Sequence, residues 1–264
     1  MGAQFALING AACRYSVSGQ GDDTLVLVHE LAGSLNSWDE FVGLMPDDVR
    51  IVRYDLRGAG MSEKLKGTQD YDTLADDIAA LVDHLGISGT VDVMGAAAGA
   101  GVAVRFATRH ADRIGRLVLL APALTVPEDR RAGGRETADR VEKEGMRAVA
   151  DIVLPQAFPG NLWRDDRQKA TALARWHGAD PEGYAAMYRA LNNHGVIGDV
   201  EKIACPTLVL AGEHDPFNRP DRLSAIADRI PDCRFEVIDA GHFAAVQSPQ
   251  TLPAVVTGFL AYGP

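Results

Sequence analysis

Residues 91–101 read Val-Asp-Val-Met-Gly-Ala-Ala-Ala-Gly-Ala-Gly, a short apolar strand that turns through small residues into a helix. The turn has the pattern Gly-x-Ser-x-Gly, with Ala97 where the serine would stand. Such an elbow needs small residues because its central residue is strained and the strand and helix backbones nearly touch. The packing requirement is met here and the chemical one is missing. A methyl group cannot attack a carbonyl. What the chain does therefore depends on which other side chains reach the same place.

Around the elbow, short apolar runs recur at 25–29, 50–54, 91–94, 116–120, 207–210 and 234–238. Several are near-continuous in Val, Ile and Leu, the pattern of parallel strands covered on both faces. Between them, 73–85 carries apolar residues at Leu74, Ile78, Leu81, Val82 and Leu85 and is closed by Gly86, which predicts an amphipathic helix. Stretches 102–110 and 249–260 predict two more. Alternation of this kind predicts an α/β fold, a doubly wound and mostly parallel sheet. From 126 to 198 the strand pattern stops, and helix-like sequence rich in Arg, Ala and Glu takes over. The expected organisation is a core of 1–125 and 199–264 with an inserted helical cap, 126–198, above the carboxyl ends of the strands, where ligands bind.

A chain of 264 residues with 47% hydrophobic and 23% charged content suits one such domain. Its net charge of −10 argues against a nucleic-acid or membrane-surface partner. Cys13, Cys205 and Cys233 are odd in number and widely spaced, so reduced core thiols are expected and not a disulfide framework or metal site. With no basic-then-apolar N-terminal pattern and no long apolar run, a soluble cytoplasmic protein is expected. Association as a homodimer is left open.

Two strand ends carry further chemistry. The 207–211 strand leads into Gly212-Glu213-His214-Asp215-Pro216, and 234–238 leads into Asp239-Ala240-Gly241-His242-Phe243. An aspartate past one strand and a histidine past the next bring acid and base to the elbow's edge of the sheet. A carboxylate-held imidazole is a general base, because the acid fixes its tautomer and stabilises the charged ring. His242 and Asp215 are the candidates; Glu213 and His214 are predicted to point away, and His29 to fix a loop.

Jointly these segments resemble the α/β-hydrolases, nearest the 3-oxoadipate enol-lactonase-like group. The likeness rests on Leu-Val-His-Glu-Leu-Ala-Gly-Ser-Leu-Asn-Ser-Trp at 27–38, Tyr-Asp-Leu-Arg-Gly-Ala-Gly-Met-Ser at 54–62, the elbow, Gly-Glu-His-Asp at 212–215 and Gly-His-Phe at 241–243. It spans nearly the whole chain, and the order elbow, Asp, His is that of the superfamily. The resemblance implies an α/β-hydrolase fold and Asp215 and His242 as acid and base. It also implies an oxyanion hole from the backbone N–H groups of Leu31 and Ala98, a small-molecule substrate, and neither cofactor nor metal.

The sequence departs from that pattern three times. Ala97 occupies the nucleophile position, Glu30 replaces a glycine beside the oxyanion loop, and Ala59 stands where a histidine is common. Two readings of Ala97 stay open. In one, a serine hydrolase has been inactivated. In the other, Ala97 is native, His242 and Asp215 activate water, and Glu30 is a second acid/base. The plainer alternative is a Glu30 that points to solvent or pairs with an arginine such as Arg57 or Arg53 to hold a loop. For the whole protein, the expected activity is hydrolysis of a small, anionic substrate with an activated carbonyl: a lactone, enol-lactone, ester or C–C bond. The alternatives are a lyase, isomerase or oxygenase on the same fold, or a ligand-binding pseudo-enzyme. Trp163, Tyr188 and Phe243 are the candidate substrate-binding residues, and one or two of the nine arginines from Arg130 to Arg189 are expected to recognise a carboxylate.

Overall fold

A computed structural model describes residues 2–64 and 66–261. Eight strands form one sheet: β1 Gln4–Ile8, β2 Ala11–Ser18, β3 Thr24–Val28, β4 Arg50–Tyr54, β5 Val91–Ala96, β6 Ile114–Leu120, β7 Thr207–Gly212 and β8 Cys233–Ile238. Their spatial order is β1-β2-β4-β3-β5-β6-β7-β8. All pairings from β4 to β8 are parallel, and the two involving β2 are antiparallel. This is the doubly wound, mostly parallel sheet that the alternating pattern predicts.

The helices are α1 Asp39–Leu44, α2 Tyr71–His84, α3 Ala98–Arg109, α4 Arg131–Glu144, α5 Ala150–Ala157, α6 Asp166–His177, α7 Pro181–His194, α8 Pro220–Ala227, α9 Ala244–Gln247 and α10 Pro253–Ala261. Side chains of α2, α3 and α8 bury one face of the sheet against Val26, Val52, Val93 and Val209. Those of α1, α9 and α10 bury the other against Leu25, Leu27, Met94 and Leu208. Helix α2 shows how the sequence sets this up. The Asp70 carboxylate caps it by accepting from the N–H groups of Asp72 and Thr73. Its Leu74, Ile78, Leu81 and Val82 stripe is fully buried, and Gly86 ends it at φ +70°. Truncating Ile78 to alanine would cost about 2–5 kcal/mol at such a site.

The segment from α4 to α7 lies between β6 and β7 and contains no strand. It packs over the carboxyl ends of the strands through a third apolar cluster that includes Phe158, Trp176 and Tyr184 together with Ala97 and Phe243. Two features differ from expectation. The β1–β2 hairpin carries no strand prediction, and the predicted 249–260 helix is a 3-10 turn, Pro249–Thr251, followed by α10. Pro253 has no N–H with which to continue a helix from the preceding turn. No helix among the described residues is long and apolar enough to cross a membrane. Cys13, Cys205 and Cys233 are free thiols.

Candidate active site

The elbow between β5 and α3 is held by close backbone packing. Ala97 has φ +48° and ψ −115°, a conformation that L-residues rarely adopt. Its N–H donates to the Leu120 carbonyl at 2.9 Å, and its own carbonyl accepts from Ala123 N–H at 3.0 Å. A Cβ at Gly99 would lie 2.3 Å from the His29 carbonyl oxygen, and one at Gly95 would lie 2.5 Å from the Gly99 carbonyl oxygen. Both positions need glycine because the chain passes too close for any side chain. The loop after β3 is pinned as tightly. His29 Nε2 accepts the Leu56 N–H at 3.0 Å, so Nδ1 carries the proton and donates it to the Glu30 carbonyl at 2.8 Å. His29 thus ties the loop to the end of β4.

Asp215 follows β7 and His242 follows β8. Nδ1 of His242 lies 2.8 Å from Asp215 Oδ2. Asp215 Oδ1 accepts from the Phe217 and Asn218 N–H groups at 2.8 and 3.1 Å. Burial works to raise the Asp215 pKa, but the His242 charge and these hydrogen bonds outweigh it, leaving the carboxyl below the ordinary carboxylate value. Nε2 of His242 has no protein partner among the described residues and faces a cavity of about 290 Å³. Ala97, Leu31 and Ala98 line that same cavity. The amides of Leu31 and Ala98 have no protein acceptor among the described residues. A carboxylate-held imidazole, a methyl group and two unengaged N–H donors therefore meet in one space.

Glu30 is 5% exposed. Its Oε1 accepts the Ser37 hydroxyl at 2.6 Å, and its Oε2 has no partner. Burial raises its pKa, only partly opposed by His29, the Ser37 bond and His242. Neither candidate arginine reaches it. Arg57 pairs with Asp77 and Arg53 with Asp39, so the loop-support reading of Glu30 as an ion pair is corrected. Glu30 does not line the His242 cavity either. It lines an adjoining cavity of about 340 Å³ with Ser37. Trp176 and Phe243 stand between the two cavities, lining both.

Of the residues expected to touch substrate, Tyr188 and Phe243 line the His242 cavity. Trp163 does not. It stacks on Phe158 with ring centroids 5.0 Å apart, and Phe158 in turn packs edge-on against Phe243 at 5.1 Å. Among the nine arginines, Arg131, Arg140, Arg164, Arg175 and Arg189 are ion-paired to carboxylates. Arg130 is on the cavity wall, joined by Arg222 of α8, which the reading of 126–198 passed over. His214 bonds Asp239 at 2.9 Å, away from Asp215. With Glu213 these two form the one group among the described residues whose donor atoms lie within 4.8 Å of one another as metal ligands require, and it lies at the surface outside the His242 cavity.

Residues 19–243 match the family described as Serine aminopeptidase, S33. The chain is 27% identical to 3-oxoadipate enol-lactonase 2 of Acinetobacter baylyi over 244 residues, 90% of this chain and 89% of that one. An enol-lactonase structure from Burkholderia xenovorans LB400 superposes with a TM-score of 0.88 at 29% identity, covering 98% of this chain and 100% of the other. A malate-bound esterase from Thermogutta terrifontis superposes with a TM-score of 0.90 at 27% identity, covering 98% of each chain.

Proposed function

The chain belongs to the Serine aminopeptidase S33 family of α/β-hydrolases, and from that premise we propose that it hydrolyses a small anionic substrate by direct attack of water. The observation that carries this reading is the Asp215-held His242 sharing a cavity with the Ala97 methyl group and the Leu31 and Ala98 amides. A water molecule beside that methyl group gives a proton to His242 Nε2 as its oxygen bonds to the substrate carbonyl carbon. Asp215 stabilises the resulting imidazolium. The carbonyl oxygen becomes an oxyanion on the two amides. Collapse of this intermediate breaks the bond to the leaving group, which takes up a proton. His242 Nε2 supplies that proton and so returns to its neutral form, while Glu30, whose pKa burial raises, is a second acid acting from beside the Leu31 and Ala98 amides, with which it lines a further small cavity. Lactones, enol-lactones, activated esters and β-diketone C–C bonds all suit this sequence, the last with carbon as the protonated leaving atom.

Direct attack forms no covalent intermediate, which separates it from the serine mechanism. Mass spectrometry during turnover of an activated ester or lactone should find no acyl adduct on the protein, whereas Ala97→Ser should show one. His242→Ala should lower turnover by about 10²–10⁴-fold. A loss smaller than about threefold overturns the base assignment. A protein inert towards lactones, esters and β-diketones that still binds small acids would be a binding protein.

A further inference from the structure

Asn218 follows Asp215 by three residues and is pinned through both its backbone and its side chain. Its N–H donates to Asp215 Oδ1 at 3.1 Å, so it helps to hold the acid that orients His242. Its Nδ2 donates to the carbonyl of Ala121, just past β6, at 3.2 Å. That bond fixes which way the amide faces, because the opposite orientation would set Oδ1 against a carbonyl oxygen. Oδ1 itself has no protein partner among the described residues. Asn218 is only 5% exposed, and it lines the His242 cavity. A buried acceptor is thus left for the occupant of that cavity to satisfy.

We propose that the Asn218 side-chain amide is a specificity-determining group that takes up a hydroxyl of the substrate, so that the protein selects derivatives of hydroxy acids over their deoxy counterparts. This rests on the hydrolytic reading only for the role of the cavity, and it adds a substrate class and the residue that selects it. The cavity wall narrows the donor that Oδ1 can receive. It carries Arg130 and Arg222 and no carboxylate, so an ammonium group would meet like charge. A carboxylate offers acceptors alone and would oppose Oδ1. A hydroxyl donates to Oδ1 and can accept the second hydrogen of Nδ2. Because Asn218 is held at both ends, its amide is oriented before a ligand arrives and little freedom is lost on binding. A deoxy ligand that displaces water from the amide leaves the oxygen buried and unpaired, and that cost discriminates between the two. The residue that takes the hydroxyl also bonds Asp215, so the ligand is registered against the base.

Titration calorimetry with butyrate and with its α-, β- and γ-hydroxy derivatives tests this without requiring turnover. At least one hydroxy acid should bind about fivefold or more tightly than butyrate. Asn218→Val and Asn218→Ala, checked for folding by thermal melts, should bring that preference to within about twofold. The preference, and not the affinity, is the readout, because a structural role for Asn218 would weaken all of these acids alike. Absence of binding by any of them, equal affinity for butyrate and every hydroxy acid in the native protein, or a preference that survives in either folded variant overturns the proposal. Ester or lactone hydrolysis by a protein without the preference would sink it and leave the hydrolytic reading standing. A preference that depends on Asn218 in a protein without turnover would do the reverse.

Discussion

Two buried carboxyl groups flank the elbow, and their surroundings drive their pKa values in opposite directions. Asp215 receives two backbone N–H groups and an imidazole, and is held below the ordinary carboxylate value. Glu30 receives one hydroxyl, keeps an oxygen without a partner, and is pushed up by burial. Both are almost fully enclosed, so burial alone does not decide the outcome. The neighbouring charge and the donors do. An ionised carboxylate in a dry site needs its lone pairs met, and only Asp215 has them met. The result is one carboxyl held below the ordinary carboxylate value and one pushed above it, the separation by environment from which acid and base assignments are argued.

The largest effect is expected from removing the anion. Asp215→Asn keeps the volume but loses the charge that stabilises the imidazolium, and kcat should fall by about 10²–10⁴-fold. Unchanged turnover would mean that the two carboxyls do not differ in function. Glu30→Gln should lower kcat by a smaller factor, about tenfold or 1.4 kcal/mol of barrier. It should also abolish a loss of activity on the alkaline side, because the native acid works only while protonated and its raised pKa sets where that loss begins. A variant that keeps the native alkaline limb would remove Glu30 from the chemistry. Ser37→Ala takes away the side-chain donor that favours ionised Glu30, so the alkaline limb should move to higher pH, with about 1 kcal/mol lost in denaturant unfolding.

The smallest effect concerns stability against pH, where the two groups carry opposite signs. Asp215 contributes stability that is present above its unfolded value, near the ordinary 3.8, and is lost as pH falls through its lowered folded value. Glu30 binds its proton more tightly in the folded chain. Its contribution is present below the unfolded value, near the ordinary 4.5, and is lost as pH rises through its raised folded value. Urea unfolding of the native protein and of Glu30→Gln across pH should therefore show curves that diverge as pH rises above about 4.5, the native chain losing ground. Parallel curves would show that Glu30 is not perturbed.

Much of this architecture is legible in the sequence because buried parallel strands must be apolar on both faces, and runs such as Thr207–Gly212 admit few other readings. The β1–β2 hairpin is less legible, since its outer strand leaves Phe5 and Leu7 exposed and buries only Ile8 fully. A signal was present all the same. Asn9 and Gly10 both have positive φ, the two-residue turn that Asn-Gly favours. In the site, strand order brings Asp215 to His242, and that order can be read along the chain. The position of Arg222 cannot, because nothing local distinguishes a helix arginine on a cavity wall from one in solvent. Trp163 shows the reverse case. An aromatic residue in the right segment is separated from the cavity by Phe158, a matter of packing that no pattern records.

The strained turn at Ala97 costs about 1–3 kcal/mol wherever it occurs, and here it carries a side chain with no reactivity. What the turn still does is aim the following N–H at the cavity. That requirement keeps the backbone bent whether or not an oxygen is attached to Cβ. Alanine and serine codons differ by one base, so a point mutation would place a hydroxyl in a backbone already shaped for it, beside an imidazole already held by its acid. A change of mechanism on this scaffold would then require no intermediate folds and almost no repacking. Libraries built on this chain can therefore explore water-attacking and covalent chemistry from a single parent, with the backbone as the constant and one atom as the variable.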